Sequence, residues 1–416
     1  MKTALVLGGT YPHIALIKKL QARGYYTILI DYLDHPVAKQ YADEHVQEST
    51  MDMDKVCEIA QERKADLVIS TCIDQCNVTC CYVAEKLGLP KPYSYEASLN
   101  VTDKVRMKKI MIDNQIPTAH HYTISSYEEF DAKKLRYPII VKPADCLGSK
   151  GVRRIEKDDV NTKSYIQDAL SFSRSGHAII EEYIVGREIG ADCMIVNHKA
   201  HVVITRERRK INKNNREAIQ QIYGSFWPAD LSEKNLEQLR LIAEMIAKAF
   251  NLDNTPLMMQ TILADDEFNV IEFGARIGGG DNYQIIEELT GYDIIQNAIS
   301  SFLGEKIEYY DLGKRQRLLM DNYLYVNHPR PGSTSEEQIF GSISYNDIAR
   351  SNIEYEKVYK QKGDPIGYKI SSSNRVGCFV VSGFTEQELL DKQALVVKNM
   401  EVYDVDGNPI MRKEIY

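Results

Sequence analysis

Few cysteines, no long apolar run and no excess of positive charge narrow the possibilities before any motif is read. Eight cysteines among 416 residues are too few for a disulfide-built scaffold. Four of them cluster as Cys72, Cys76, Cys80 and Cys81, and the i, i+4, i+8 spacing puts three on one helical face. Cys-x-x-Cys is missing and no histidine is near, so buried thiols packing as small hydrophobes are expected rather than a zinc site. No apolar run approaches the ~18 residues of a transmembrane helix. The net charge of -8 argues against nucleic acid or an anionic membrane as the main partner, while leaving room for a local basic pocket that holds phosphate. The apolar run within Met1–Thr10 is too short for a signal peptide, and a cytoplasmic location is expected. Neither the Walker A pattern nor Gly-x-Gly-x-x-Gly occurs. There is no internal repeat and no low-complexity tract.

What is present reads as an α/β chain of two or three domains, with the 44% hydrophobic and 26% charged content of a soluble globular protein. Residues 1–100 alternate apolar strands, at Thr3–Leu7, Tyr26–Ile30 and Leu67–Ser70, with helical spacing near 13–23, 53–64 and 75–87. That alternation predicts a doubly wound parallel sheet with right-handed crossovers. Gly8-Gly9-Thr10 follows the first strand, where such folds place ligands. A helix over 102–114 carries Val105, Met107, Ile110 and Met111 on its apolar side, with Lys104, Arg106, Lys108 and Lys109 as a basic face. Asp103 complements its dipole and Pro117 closes it.

Three blocks carry the chemistry. Pro138–Val152 is an apolar strand that delivers Lys142 and breaks into a loop holding Gly148, Ser149, Lys150 and Gly151. Glycines let backbone N–H groups converge on an anion, and a strand lysine adds a point charge beside them. Ala178–Glu188 is a second apolar strand, then a turn, then a carboxylate. Met258–Gly280 reads as a β-hairpin turning near Ala264-Asp265-Asp266 and ending in Glu272, Arg276 and three glycines. A helix Ser232–Phe250, with Ser232 as N-cap and Leu236, Leu239, Ala243, Ile246, Ala247 and Phe250 on one face, precedes the hairpin, and another helix starts near Tyr283. Beyond about 306 the chain is punctuated by Pro329-Arg-Pro-Gly332, then a strand over Arg375–Val381 and a helix over Glu386–Met400.

The order and spacing of these blocks resemble the ATP-grasp superfamily, over roughly residues 1–305. The resemblance implies an N-terminal pre-ATP-grasp domain (1–100) that helps wall the substrate pocket. A two-lobed α+β ATP-grasp domain follows (101–305, lobes about 118–185 and 186–305), and then a C-terminal α+β domain (306–416). It implies Lys104 and Lys142 on ATP, with the loop Asp145–Gly151, including Ser149, Lys150 and Gly151, around the phosphates. Backbone groups of Glu181, Glu182, Tyr183 and Ile184 would meet adenine, and Glu188 the ribose hydroxyls. Glu272 would hold Mg²⁺ or Mn²⁺. Arg276 would stabilise the transferring phosphoryl or acyl group. Gly279, Gly280, Arg206 and Arg375 are candidates for substrate recognition, and Arg206, Arg208, Arg209 and Lys210 are taken to follow a strand at Val202–Thr205. The family usually brings a second acid where this chain has Gln260, and asparagine where it has Gly274.

The activity implied is a carboxylate–amine ligase using small-molecule substrates and releasing ADP and phosphate, similar to amino-acid ligases, the carbamoyl-phosphate synthase large chain and purine-pathway ligases. A biotin carboxylase is less favoured, since no biotin-acceptor segment is present. Two alternatives are an ATP-binding module without catalysis, suggested by Gln260 and Gly274, and a dinucleotide-dependent oxidoreductase using Gly8-Gly9. Oligomeric state is open, a homodimer being among the expected arrangements.

Overall fold

The structure, a computed structural model, describes residues 2–146, 151–211, 221–307, 309, 312, 317–327, 338–367 and 374–416. Ser149 and Lys150, with Gly148 and the segment Pro329–Gly332, lie outside the described residues. The chain divides into two compact units, each built from three stretches of sequence. One comprises 1–118, 190–205 and 231–314, the other 119–189, 206–230 and 315–416.

The first unit begins with a parallel sheet whose spatial order is Glu44–Gln47, Tyr25–Asp31, Lys2–Leu7, Leu67–Ile69. Helices Tyr11–Ala22 and Met53–Glu62 lie between these strands and Asp74–Leu87 follows the last, as the alternation predicts. Ala4, Leu5, Val6, Leu67, Val68 and Ile69 are wholly buried, as strands covered on both faces require. Glu44–Gln47 escapes the sequence reading because it is a short, polar, half-buried edge strand. The strand order reverses at Lys2–Leu7: the chain first adds strands on one side, then returns to place Leu67–Ile69 on the other. In open α/β sheets, the carboxyl ends at such a reversal form a crevice.

A further helix, Tyr95–Thr102, precedes the one expected over 102–114, which is Lys104–Asp113. Asp103 separates them and caps the second, accepting from the N–H groups of Val105 and Arg106 at 2.8 and 3.0 Å. The second helix stops before Pro117, because Gln115 takes a left-handed φ of 57°. Lys108, grouped by sequence with the basic face, is 1% exposed and donates to Thr118 Oγ1.

The hairpin Thr255–Ala264 and Glu267–Gly274 turns through Asp265 and Asp266, both at positive φ, the two-residue geometry that matches strand twist. The helix Glu233–Ala249 starts at Ser232, which forms a capping box with Asn235. Its buried face holds Leu239, Ala243, Ile246 and Ala247, but Leu236 is 38% exposed. Of the clustered cysteines, Cys76, Cys80 and Cys81 are buried and Cys72 is partly exposed. Burial pushes the Cys76 and Cys81 thiols up to about 12.

The second unit contains a four-stranded antiparallel sheet in the order His121–Ile124, Ala178–Glu182, Ile139–Pro143, Arg153–Ile155, backed by the helix Thr162–Phe172. Ile139, Val141, Ile155, Ile166 and Ile180 form its core. Strands Ile222–Trp227, Leu318–Leu324, Gly377–Gly383 and Tyr355–Val358 also pair antiparallel in that order, with the helix Glu386–Asn399 packed on them, and Pro365–Ile366, Gln338–Tyr345 and Met400–Asp404 form a further three-stranded sheet. Among the described residues, no helix is long and apolar enough to cross a membrane.

Candidate active site

Lys142 and Glu181 face each other because of strand register. Ile140 is opposite Glu181 and Lys142 opposite Ile179, so the two charged residues are diagonal neighbours on the face away from the apolar core. Lys142 Nζ donates to Glu181 Oε1 at 2.6 Å, and both side chains are buried. The loop after this strand is fixed at both ends. The Asp145 carboxylate accepts from the N–H groups of Arg174 and Ser175 at 3.0 and 2.9 Å. Burial works against this carboxylate's charge, yet these donors hold its pKa below the ordinary value. At the far end Gly151 has φ 74°, and a Cβ there would lie 2.7 Å from Phe172, so only glycine suits.

Within Glu181–Ile184 several backbone N–H groups are already engaged by neighbouring chain. Glu181 sits in a central strand paired on both sides, Glu182 N–H donates to His120 O, and Tyr183 N–H donates to Pro138 O. The Glu182 side chain holds Arg136 at 3.0 Å. The Tyr183 ring lies beneath Arg154, 4.4 Å from its centroid.

Glu188 is buried and clasped by two cations: Arg208 Nη1 at 2.7 Å from Oε1 and Lys210 Nζ at 2.9 Å from Oε2. Arg206, Arg208, Arg209 and Lys210 do not follow a strand; they belong to one, Lys199–Lys210. Of the four, Arg206 stacks over Trp227 at 4.9 Å, and Arg209 donates to Asn322 and Gln393. A carboxylate has about four lone-pair sites, so hydroxyl donors and two cations can share Glu188. Arg375 precedes its strand, which starts at Gly377. Its guanidinium lies 3.5 Å from the Tyr323 ring centroid and donates to Tyr325 Oη at 2.8 Å and Ile222 O at 3.3 Å. It therefore braces the second unit's sheet.

In the first unit the hairpin aligns Gln260 directly opposite Glu272, on one face. Lys104, set by the Asp103 cap at the start of its helix, brings Nζ to 3.3 Å from Glu272 Oε2. A part-buried carboxylate beside an amide carbonyl suits a hard divalent cation that takes its remaining ligands from phosphate and water. It does not suit an all-protein cage: among the described residues no group of three or more His, Cys, Asp or Glu could hold a metal.

Arg276 does not pair with Glu272. Its Nε and Nη2 donate to the Asp74 carboxylate at 2.7 and 2.6 Å, and Nη1 donates to Ile277 O at 2.9 Å. Burial disfavours the guanidinium's charge, but the Asp74 carboxylate outweighs it and raises the pKa further. Sequence reasoning missed Asp74. Its one signal is position, just past the strand Leu67–Ile69 at the carboxyl edge of the parallel sheet. Gly279 and Gly280 follow Arg276 and precede the helix Asn282–Thr290, Gly280 at φ 64°.

At the same carboxyl edge, Gly9 is needed for packing: a Cβ there would lie 2.5 Å from Pro36 Cβ and 3.0 Å from Asp31 Oδ2. His13 lies behind this turn, fully buried. Its Nδ1 accepts from Thr10 N–H at 3.2 Å, so that nitrogen carries no proton. Nε2 therefore holds the proton and donates to Ser70 Oγ at 3.2 Å, while Ser70 donates to Leu7 O at 2.7 Å. Burial lowers the His13 pKa from 6.5 to about 3. The folded state thus refuses a proton that the unfolded chain accepts. This contribution to stability is whole above pH 6.5 and is lost as pH falls toward 3. Below 6.5 it costs about 1.4 kcal/mol per pH unit. Denaturant midpoints between pH 6.5 and 4.5 should fall less steeply in His13→Gln; parallel slopes would contradict the assignment.

Residues 103–309 match a family model described as the carbamoyl-phosphate synthase L chain, ATP binding domain. The carbamoyl phosphate synthase large chain of Clostridium acetobutylicum is 23% identical over 313 residues, which are 74% of this chain and 28% of that protein. The chain thus spans under a third of that relative's length. An L-amino acid ligase from Bacillus licheniformis superposes with a TM-score of 0.80 at 17% identity, covering 97% of this chain and 98% of that one. The biotin carboxylase domain of the 2-oxoglutarate carboxylase from Hydrogenobacter thermophilus, solved with MgADP and bicarbonate, gives 0.76 at 17% identity, covering 98% and 91%. These structural likenesses establish a common fold.

Proposed function

Residues 103–309 belong to the ATP-grasp superfamily, and on that premise we propose that the chain is an ATP-dependent ligase joining a carboxylate to an amine. The observation that carries this reading is Lys104 Nζ at 3.3 Å from Glu272, with Gln260 in register opposite. Two sequence blocks more than 150 residues apart thereby supply a cation for phosphate and a carboxylate for a metal on one face.

In the proposed reaction a substrate carboxylate oxygen attacks the γ-phosphorus of ATP. The bond to the β-phosphate oxygen breaks and ADP departs. An amine nitrogen then attacks the acyl carbon, the carbon–oxygen bond to phosphate breaks, and the nitrogen loses a proton as phosphate leaves. Lys104 and Lys142 neutralise phosphate charge, and Arg276 stabilises the oxyanion that develops at the acyl carbon. Mg²⁺ held by Glu272, with Gln260 as a neutral ligand, would offset charge on the phosphate oxygens. Residues 101–305 remain the proposed nucleotide-binding part, and 1–100 a wall of the substrate pocket.

The test is ADP and phosphate release from Mg-ATP against a panel of amino acids, dipeptides and small carboxylates. Release that needs one carboxylate and one amine supports the ligase. Binding without release favours the second reading, a nucleotide-binding module, to which Gln260 and Gly274 point. Gln260→Glu adds the missing charge, so turnover should hold or rise and half-saturating Mg²⁺ should fall. A large loss of turnover would mean that Gln260 acts through its amide.

A further inference from the structure

The asparagine-to-glycine departure at 274 has a neighbour that accounts for it. A Cβ built on Gly274 would lie 2.8 Å from Asp74 Oδ1, 3.2 Å from Arg276 Cγ and 3.3 Å from Arg276 Nε. The Asp74–Arg276 pair fills the space a side chain at 274 would need. Both partners are about one-eighth exposed, and they meet across 202 residues of sequence. Asp74 opens the helix Asp74–Leu87, directly after the loop that leaves the strand Leu67–Ile69. The pair therefore stands at the strand-order reversal, the crevice of the parallel sheet.

From this juxtaposition we infer that Asp74 is the positioning residue for Arg276, and that Gly274 is small to admit it. A guanidinium carries five N–H bonds in a rigid fork. Asp74 engages the Nε–Nη2 edge and Ile277 O takes one hydrogen of Nη1. One N–H on each terminal nitrogen is left to meet an oxyanion. Without Asp74 the fork is free to rotate on its side chain, and those donors are no longer aimed. The chain gives up a neutral metal ligand at 274 and gains a fixed arginine. The inference rests on the ligase reading, in which Arg276 meets the reacting oxyanion.

The test uses the full chain and the carboxylate–amine pair found in the panel, with Mg-ATP. Asp74→Asn keeps the volume and removes the charge. It should lower kcat about 100-fold, the scale of a ~1 Å misplacement, while KM for ATP changes less than about threefold. Asp74→Glu should recover part of kcat. Gly274→Ala, which pushes on the pair from the other side, should lower kcat in the parent and do little further harm in Asp74→Ala. Arg276→Ala in the Asp74→Asn background should add almost no loss, since the two act as a unit. An Asp74→Asn enzyme within twofold of the parent overturns the inference, as do losses that multiply. Should Asp74→Asn fail to fold, Gly274→Ala in the parent decides alone, an unchanged kcat overturning the inference. A parent chain with no turnover on any pair sinks the ligase reading itself, and this inference with it.

Discussion

Lys142→Ala is expected to abolish ATP binding and turnover, and to lower stability by about 3–5 kcal/mol. The two losses have different origins. The nucleotide loses a cation at the root of the loop Asp145–Gly151. The fold loses a 2.6 Å charged partner of Glu181, a carboxylate that is 6% exposed in the parent chain. The double variant Lys142→Met with Glu181→Gln separates them. Removing both charges should return much of the melting temperature, because an uncharged pair of similar volume needs no counter-ion. It should not return ATP binding by calorimetry. Normal turnover in Lys142→Ala would refute the phosphate role outright.

Glu272→Ala should lower turnover about 10²–10⁴-fold, the effect of several kcal/mol of lost metal stabilisation. Metal-free ATP binding should persist, with half-saturating Mg²⁺ moved upward. Lys104 loses its 3.3 Å partner in this variant, but the pair is part-exposed, and stability should change by less than ~1 kcal/mol. A variant with unchanged Mg²⁺ dependence would remove Glu272 from the metal site.

Periodicity made much of the fold legible. The parallel strands of residues 1–100, the hairpin and its Asp265-Asp266 turn, and the Ser232 cap all follow from local patterns that are independent of distant chain. The candidate residues were legible as types in order, yet their partners were not. Arg276 finds Asp74, Glu188 finds Arg208 and Lys210, and Lys108 is buried against Thr118. Each pairing depends on which charged group tertiary structure carries to the far side of an element. Spacing reports the face a residue occupies, not what lies across from it. The same holds for Leu236, which has the right phase for the buried face yet is exposed.

The hydrogen-bond chain through His13 decides what Thr10 can say to a ligand. With Nδ1 bare, the Thr10 hydroxyl at 2.8 Å must point its single proton inward at the imidazole. The Thr10 oxygen also lies 3.6 Å from Cys72 Sγ. A molecule arriving there meets an acceptor that cannot turn into a donor while the histidine stays neutral. The buried imidazole thereby holds the Thr10 hydroxyl in one orientation for as long as it stays neutral.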